Sequence, residues 1–373
     1  MLKTLTVTFH YSSNSMIAIQ CKYTIVTLAV LLATVLSYFR EAYPIAASYN
    51  NYRFLDSVSA VRRETTPYNA SIVEEYERIM GGKHKLQTND TLVPFVDPFP
   101  VDSIINRDIQ VCTKDTFFLA IFPIRSSDYR MRQLLRRMIP QGMVVKNKVI
   151  NRIFVVGIDD MDKQTIKMIR EENRVHGDIV VSRHKESYYG ITILLWDGLM
   201  WVKEHCNQAK YVGKFDPDAV IFMDNIIEVL KNAPMNRFYG GRKLSFVMQP
   251  RKNLTRWCLP YDYPERRGVV YLSGPAMLLS MDLVDYLLIG ADYEPFFIGN
   301  DDIMVGSVLN RVGIFPQSIG LDNCPFMIWR TDNNSYYSDY KVLPNCVCVY
   351  HDVKNYAKYC DIVHFFNITT CSD

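Results

Sequence analysis

The most regular feature of the chain is an alternation of short apolar runs with segments whose apolar positions recur every three to four residues. FFLAIF at 117–122 is a continuous apolar run of strand length, and Met131, Leu134, Leu135, Met138 and Ile139 then fall on one helical face. IFVVGI at 153–158 predicts a second buried strand, 163–174 a helix, and DIVV at 178–181 a third strand. Ile191, Leu194, Leu195, Gly198, Leu199 and Val202 mark the face of a long helix ending near His205, and KYVGKF at 210–215 is again strand-like. Strands without polar alternation are buried on both faces. The pattern therefore predicts an α/β domain with a mainly parallel sheet covered by helices. In such sheets ligands bind beyond the carboxyl ends of the strands.

The beginning of the chain has a different character. From Tyr23 to Phe39 no residue is charged, with Lys22 before and Arg40 after. A helix of that length covers about 25 Å, short for a ~30 Å hydrocarbon core but workable in a thin internal membrane. Tyr23, Tyr38 and Phe39 stand at its ends, where aromatic rings favour the membrane boundary. The expectation is a membrane anchor at 23–39, with a cytoplasmic tail at 1–22. A cleaved signal peptide is the alternative, with Ala46, Ala47 and Ser48 as a cleavage site; the long polar region ahead of the run favours the anchor. Residues 40–112 are rich in Tyr, Asn, Ser, Thr and Pro and show one helical patch, Ile72 to Met80. They read as a stem carrying a lumenal domain at 113–373.

Composition adds a compartment and removes some functions. With 42 Lys and Arg against 39 Asp and Glu, the formal charge of +3 over 373 residues argues against a nucleic-acid binder. Asn-X-Ser/Thr acceptors stand at Asn69, Asn89, Asn253, Asn333 and Asn367, all beyond the apolar run. Apart from Cys21 there are eight cysteines, Cys112, Cys206, Cys258, Cys324, Cys346, Cys348, Cys360 and Cys371. In an oxidising lumen they are expected to form disulfides; Cys346 and Cys348 lack the second spaced pair that a zinc site would need.

The candidate chemistry lies in carboxylates at segment ends. Asp216-Pro217-Asp218 closes the strand at 210–215 and precedes the apolar stretch AVIFM. Two acids two residues apart can face one hard cation such as Mg²⁺ or Mn²⁺, or they can form an Asx-type turn. Asp160-Met161-Asp162 has the same spacing, but it precedes a helix and reads as cap and first-turn charge. Asn300-Asp301-Asp302 is followed by Val305, Val308, Leu309 and Val312 at helical spacing. Those acids are either caps or include a catalytic base kept ionised by the helix terminus. Trp257, in RWCLPYDYPERRG, offers a sugar-stacking ring or a buried aromatic, and His351 ends the run VCVYH.

Taken in order, FFLAIFPIRSSDYRMRQLLRRM, IFVVGI, ESYYGITILLWDGLMWVKEHC, AKYVGKFDPDAVIF, RWCLPYDYPERRGVVYLSGPAMLLSMDLV and NDDIMVGSVLNRVGI resemble the β1,3-galactosyltransferase and β1,3-N-acetylglucosaminyltransferase group, glycosyltransferase family 31. The resemblance covers roughly 113–355. It implies a single Golgi-membrane domain of the GT-A fold, type II in orientation, that moves a hexose from a UDP-sugar to a glycan hydroxyl in β1,3 linkage with Mn²⁺ and inversion. It places Asp216, Asp218 and His351 on the metal and Asp302 on the base. Arg132 and Lys214 fall to the nucleotide-sugar, and Trp257 and Asp301 to the acceptor. The chain departs from the family pattern at Arg137-Met138, Pro217, Asp301 and Leu194, where a threonine-tryptophan pair, an aspartate, a glutamate and a lysine are usual. Those departures motivate a second reading, a catalytically silent lumenal member that binds glycans or acts as a chaperone-like partner.

Overall fold

The computed structural model describes residues 69–79, 104–106, 109–159, 161–187, 190–247, 268–291, 293, 300–321, 324–329, 347–351, 359–360 and 363. All lie in one compact unit, Ser57–Asp373. The Tyr23–Phe39 run lies outside them, and among the described residues no helix is long and apolar enough to cross a membrane.

The fold is a mixed α/β structure with a large, mostly parallel central sheet. Its centre is β1 (Thr116–Pro123), buried at all eight positions. A short β2 (Met143–Val145) turns back antiparallel onto β3 (Lys148–Asp159), which lies parallel to β1. β4 (Ile179–Lys185) extends the sheet beyond β3, and β5 (Tyr211–Phe215) lies on the other side of β1, both parallel. Next to β5 comes β8 (Gly268–Ser280), antiparallel, followed by β7 (Tyr239–Val247) and, at the edge, β9 (Gln317–Ser318). The strands expected between 117 and 215 all form, and β2 and β8 run against the parallel set.

Seven helices are present among the described residues: α1 (Ala70–Ile79), α2 (Tyr129–Met138), α3 (Lys163–His176), α4 (Ile191–His205), α5 (Met223–Lys231), α6 (Asp282–Gly290) and α7 (Asp301–Arg311). The alternation of β1 divides them between two faces. Leu119 and Ile121 join one core with residues of α4, α6 and α7, while Phe118, Ala120 and Phe122 join another with α2 and α5. Eleven residues of α4 are buried, from Thr192 to Val202, so this helix is apolar nearly all round and sits deep. Gly198 marks its closest approach, since a Cβ there would lie 3.0 Å from Val155 and 3.1 Å from Ile121.

Two sequence expectations need correction. The stem at 40–112 is not all spacer. Ile72 and Tyr76, one helical turn apart on α1, are buried, and the Tyr76 hydroxyl donates to the carbonyls of Tyr286 and Val308. Ile104 bridges to Ser182, the Asn106 side chain bonds the backbone of Ile179 and Val181, and Cys112 is disulfide-bonded to Cys206. These described stretches lie in the globular unit and pack on it. Nor are all eight later cysteines paired. Cys360 is disulfide-bonded, but Cys348 is a free thiol inside the core, and burial pushes its pKa up to about 12. It behaves as a small apolar side chain.

Candidate active site

After β1 the chain steps outward to β3 and β4, then returns through α4 to β5 on the opposite side. That reversal opens a crevice at the carboxyl ends of β1 and β5, the general position for ligands in sheets of this kind. A cleft of about 920 Å³ lies there, lined among others by Pro123, Arg125, Asp128, Glu186, Leu194 and Asp216.

Asp216 and Asp218 stand at this point because β5 ends in a pinned turn. The Asp216 N–H donates to Pro275 on β8, Ala219 N–H donates to the Asp216 carbonyl, and the Tyr359 hydroxyl donates to the Ala219 carbonyl at 2.6 Å. The apolar stretch after the turn is a strand, β6 (Val220–Ile221), only briefly before α5 begins. That is enough to pair with β13 (Val349–His351), which also lies parallel to β12 (Met327–Trp329), while β10 (Gly320–Leu321) and β11 (Cys324–Pro325) pair with each other. Tyr350 sits opposite Val220, so His351 is delivered beside the turn. Its Nε2 lies 3.2 Å from Asp218 Oδ1 and 3.7 Å from Asp216 Oδ2. One ligand atom from each of the three residues falls within 4.8 Å of the other two. Two carboxylates and an imidazole suit a divalent ion of the Mn²⁺ or Mg²⁺ kind.

Behind the turn lies Lys214, 2% exposed. Its Nζ donates to Asp216 Oδ1 at 2.6 Å and to the Gly274 carbonyl at 2.8 Å, and forms an ion pair with Asp301 Oδ2 at 2.6 Å. Burial works against its charge, but Asp216 and Asp301 more than offset that and raise its pKa. Asp301 and Asp302 open α7. Asp301 is buried, and burial holds its carboxyl above the usual range against the pull of Lys214. Asp302 packs on Gly274 and accepts from the Ile303 N–H. Its pKa is pushed up to about 7, first by burial and then by Asp301. The helix terminus was expected to keep Asp302 ionised; the Ile303 bond acts in that direction but is outweighed.

Other expected site residues sit elsewhere. Arg132 is 1% exposed and does not face the cleft: it donates twice to Glu172 and to the carbonyls of Arg125 and Ser126. It shapes the loop after β1 and presents no charge to a ligand. Lys214, likewise, is spent on protein oxygens, and Asp301 is packed against it with no open face to an acceptor. Leu194 lines the cleft as an apolar wall. Trp257, Asn89, Asn253, Asn333 and Asn367 lie outside the described residues. Asn69 is exposed, and its side chain accepts from the Ser71 N–H and hydroxyl at the start of α1.

Glu186 and Tyr271 were missed by sequence reasoning. Glu186 enters the cleft from the end of β4, accepting from the N–H and hydroxyl of Ser126, and burial raises its pKa. Tyr271 on β8 has its pKa raised to about 12 by burial and by Asp302. Both lie inside segments that resemble the family, Glu186 at the head of ESYYGITILL and Tyr271 in VVYLSG, but neither was singled out because its role depends on a contact with a distant group.

A family model described as Galactosyltransferase matches residues 131–319, a stretch that contains Asp216, Asp218, Asp301 and Asp302. The chain belongs to this family, glycosyltransferase family 31. Mouse beta-1,3-galactosyltransferase 1 is 25% identical over 277 residues, covering 73% of this chain and 82% of that protein. Gorilla beta-1,3-galactosyltransferase 5 is 30% identical over 232 residues, covering 59% and 76% respectively. Among solved structures, apo mouse xyloside xylosyltransferase 1 is 12% identical, covers 65% of this chain and 98% of that one, and gives a TM-score of 0.35, too loose a likeness to argue from. Membership makes the protein a glycosyltransferase.

Proposed function

We propose that this galactosyltransferase-family member is an inverting enzyme of GT-A type. It moves a hexose, galactose or N-acetylglucosamine, from a UDP-sugar to a glycan hydroxyl in β1,3 linkage. The single observation that carries the reading is the meeting of Asp216, Asp218 and His351 at the sheet's switch point, with Asp302 joined to them through Lys214 and Asp301. Asp216, Asp218 and His351 would hold Mn²⁺, which when bound offsets the charge of the diphosphate leaving group. The cleft between β1, β4 and β5 takes the nucleotide. Asp302 accepts the proton of the attacking hydroxyl as the new C–O bond forms at the anomeric carbon, and the electron pair of the old bond leaves with UDP. The names of the relatives support galactose as the first donor to try. The sequence signals at 1–112 support a Golgi-membrane protein with this domain in the lumen.

The test is transfer by the full chain with Mn²⁺ and a panel of UDP-sugars. Asp302→Asn should reduce transfer by more than about 100-fold while UDP binding with Mn²⁺ changes less than about threefold. Undiminished transfer by that variant would remove Asp302 as the base. Absence of Mn²⁺-dependent UDP binding in the wild type would favour the catalytically silent reading.

A further inference from the structure

Lys214 stands where three separate parts of the site meet. Asp216 turns one oxygen toward the ammonium (Oδ1, 2.6 Å) and the other toward His351 (Oδ2, 3.7 Å). The same ammonium holds Asp301, the neighbour of Asp302 in α7. It also donates to the carbonyl of Gly274, the residue against which Asp302 packs; a Cβ at Gly274 would stand 3.3 Å from Asp302 Oδ2. One buried cation is therefore shared between a carboxylate of the cation site and the two acids at the head of α7. The groups that bear electrostatically on Asp302 are Asp301, Lys214, Asp216, Tyr239 and Tyr271.

We propose that Lys214 is a positioning residue that links occupancy of the cation site to the state of the Asp301–Asp302 pair. The inference rests on the proposed metal-dependent transfer, and its logic is charge sharing. A divalent ion at Asp216 Oδ2 draws that carboxylate's charge away from Lys214, leaving the ammonium more fully to Asp301. A better-neutralised Asp301 repels negative charge on Asp302 less, so Asp302 gives up its proton more readily once the ion is present. The base is thus readied by the same event that readies the leaving group. Lys214 touches neither sugar nor nucleotide in this scheme.

Calorimetric Mn²⁺ titration near pH 7, in two buffers of different ionisation enthalpy, reads the protons released per ion without any turnover. The wild-type full chain should release roughly half a proton more than Asp302→Asn, since a group titrating near 7 is about half protonated there. Lys214→Met should lose that same increment while still binding Mn²⁺ within about tenfold of the wild type, and Lys214→Arg should recover part of it. Asp301→Asn, close in shape and neutral, cuts the link at its second step; titrated at the lower pH where Asp302 is half protonated in that variant, it should also lose the increment. It decides the matter if Lys214→Met does not fold. Equal release in wild type and Asp302→Asn, or full release in Asp301→Asn, would overturn the link while leaving the metal site standing. No Mn²⁺ binding by the wild type would overturn the functional reading beneath it as well.

Discussion

Two Asp-X-Asp sequences follow the strands that flank β1, β3 on one side and β5 on the other, and have opposite fates. Asp162 caps α3: its oxygens accept from the N–H groups of Gln164 and Thr165 and from the Thr165 hydroxyl, all within four residues and in the open. Asp216 and Asp218 are engaged by His351, far away in the chain, through the pairing of β6 with β13, and Asp216 also meets Lys214, two residues before it, which in turn holds the distant Asp301. Spacing is the same in both. A carboxylate whose partners are its own next residues is finished by its helix, whereas one that meets a distant histidine and a shared lysine has oxygens to spare for an ion.

The first way to break the comparison has the largest effect. Asp216→Asn or Asp218→Asn should weaken Mn²⁺ binding by at least about 100-fold and abolish transfer, because each removes a charged ligand from a three-ligand set. Asp162→Asn should change neither, since an asparagine caps about as well. Calorimetry and initial rates on the three variants decide it; metal affinity unchanged in Asp218→Asn would sink the site.

A second contrast concerns charge that is buried but balanced. Arg132, Arg136 and Arg152 face Glu172 and Asp178, all buried, and Asp178 alone accepts from Arg136 twice and from Arg152. Burial lowers the Arg152 pKa to about 10, with Asp178 holding it up and Arg136 adding to the fall. Around Lys214 the balance is reversed, with three carboxylates, Asp216, Asp301 and Asp302, near one ammonium. Asp178→Ala should therefore cost about 3–5 kcal/mol, two guanidiniums losing their partner in the core, as read by chemical unfolding. Asp216→Asn should leave stability without metal almost unchanged, because it relieves repulsion around Asp301. A large loss in Asp216→Asn would contradict this division into structural and functional charge.

Much of the fold was legible because β1, β3, β4 and β5 are unbroken apolar runs and α4 has a clear period. Asp216 and Asp218 were candidates from their spacing at a strand end, with an Asx-type turn as the alternative, but only the family resemblance joined His351 to them and chose Asp302 as the base over a cap. What could not be read were contacts made across the sheet. Nothing at Arg132 announces that Glu172, on α3, takes its charge, and nothing at Lys214 announces Asp301 on α7. The contacts of α1, inside the stretch read as stem, were hidden for the same reason, since the partners of Tyr76 lie more than two hundred residues away.

The pH dependence separates the two kinds of acid more finely. With Asp302 near 7, its folded pKa lies above the value of about 3.8 it has when exposed, so the folded state binds the proton more tightly. That contribution to stability is complete below about pH 4 and is lost as pH rises through 7. Activity moves the other way, rising as the base ionises, and with Mn²⁺ bound that rise is centred below the metal-free value. Rate and unfolding profiles between pH 5 and 8, in wild type and Asp302→Asn, should show both trends in the first and neither in the second. A stability profile of the same shape in both proteins would refute the assignment of this titration to Asp302.

Asp162 supplies the smallest effect and the opposite sign. Its hydrogen bonds, that from the Thr165 hydroxyl first, lower its pKa in the folded protein. Its contribution is therefore present above the unfolded value and disappears as pH falls through the folded one. Asp162→Ala should lower Tm by only about 2 °C at pH 7, leave transfer and Mn²⁺ binding untouched, and become indistinguishable from wild type near pH 2, where the cap is protonated. The gap in Tm thus closes on acidification for this acid, whereas the gap between wild type and Asp302→Asn opens. If the Asp162→Ala gap instead persisted undiminished at low pH, the side chain would be acting through its shape and not its charge, and the Thr165 bond would not be what sets this aspartate apart from Asp216.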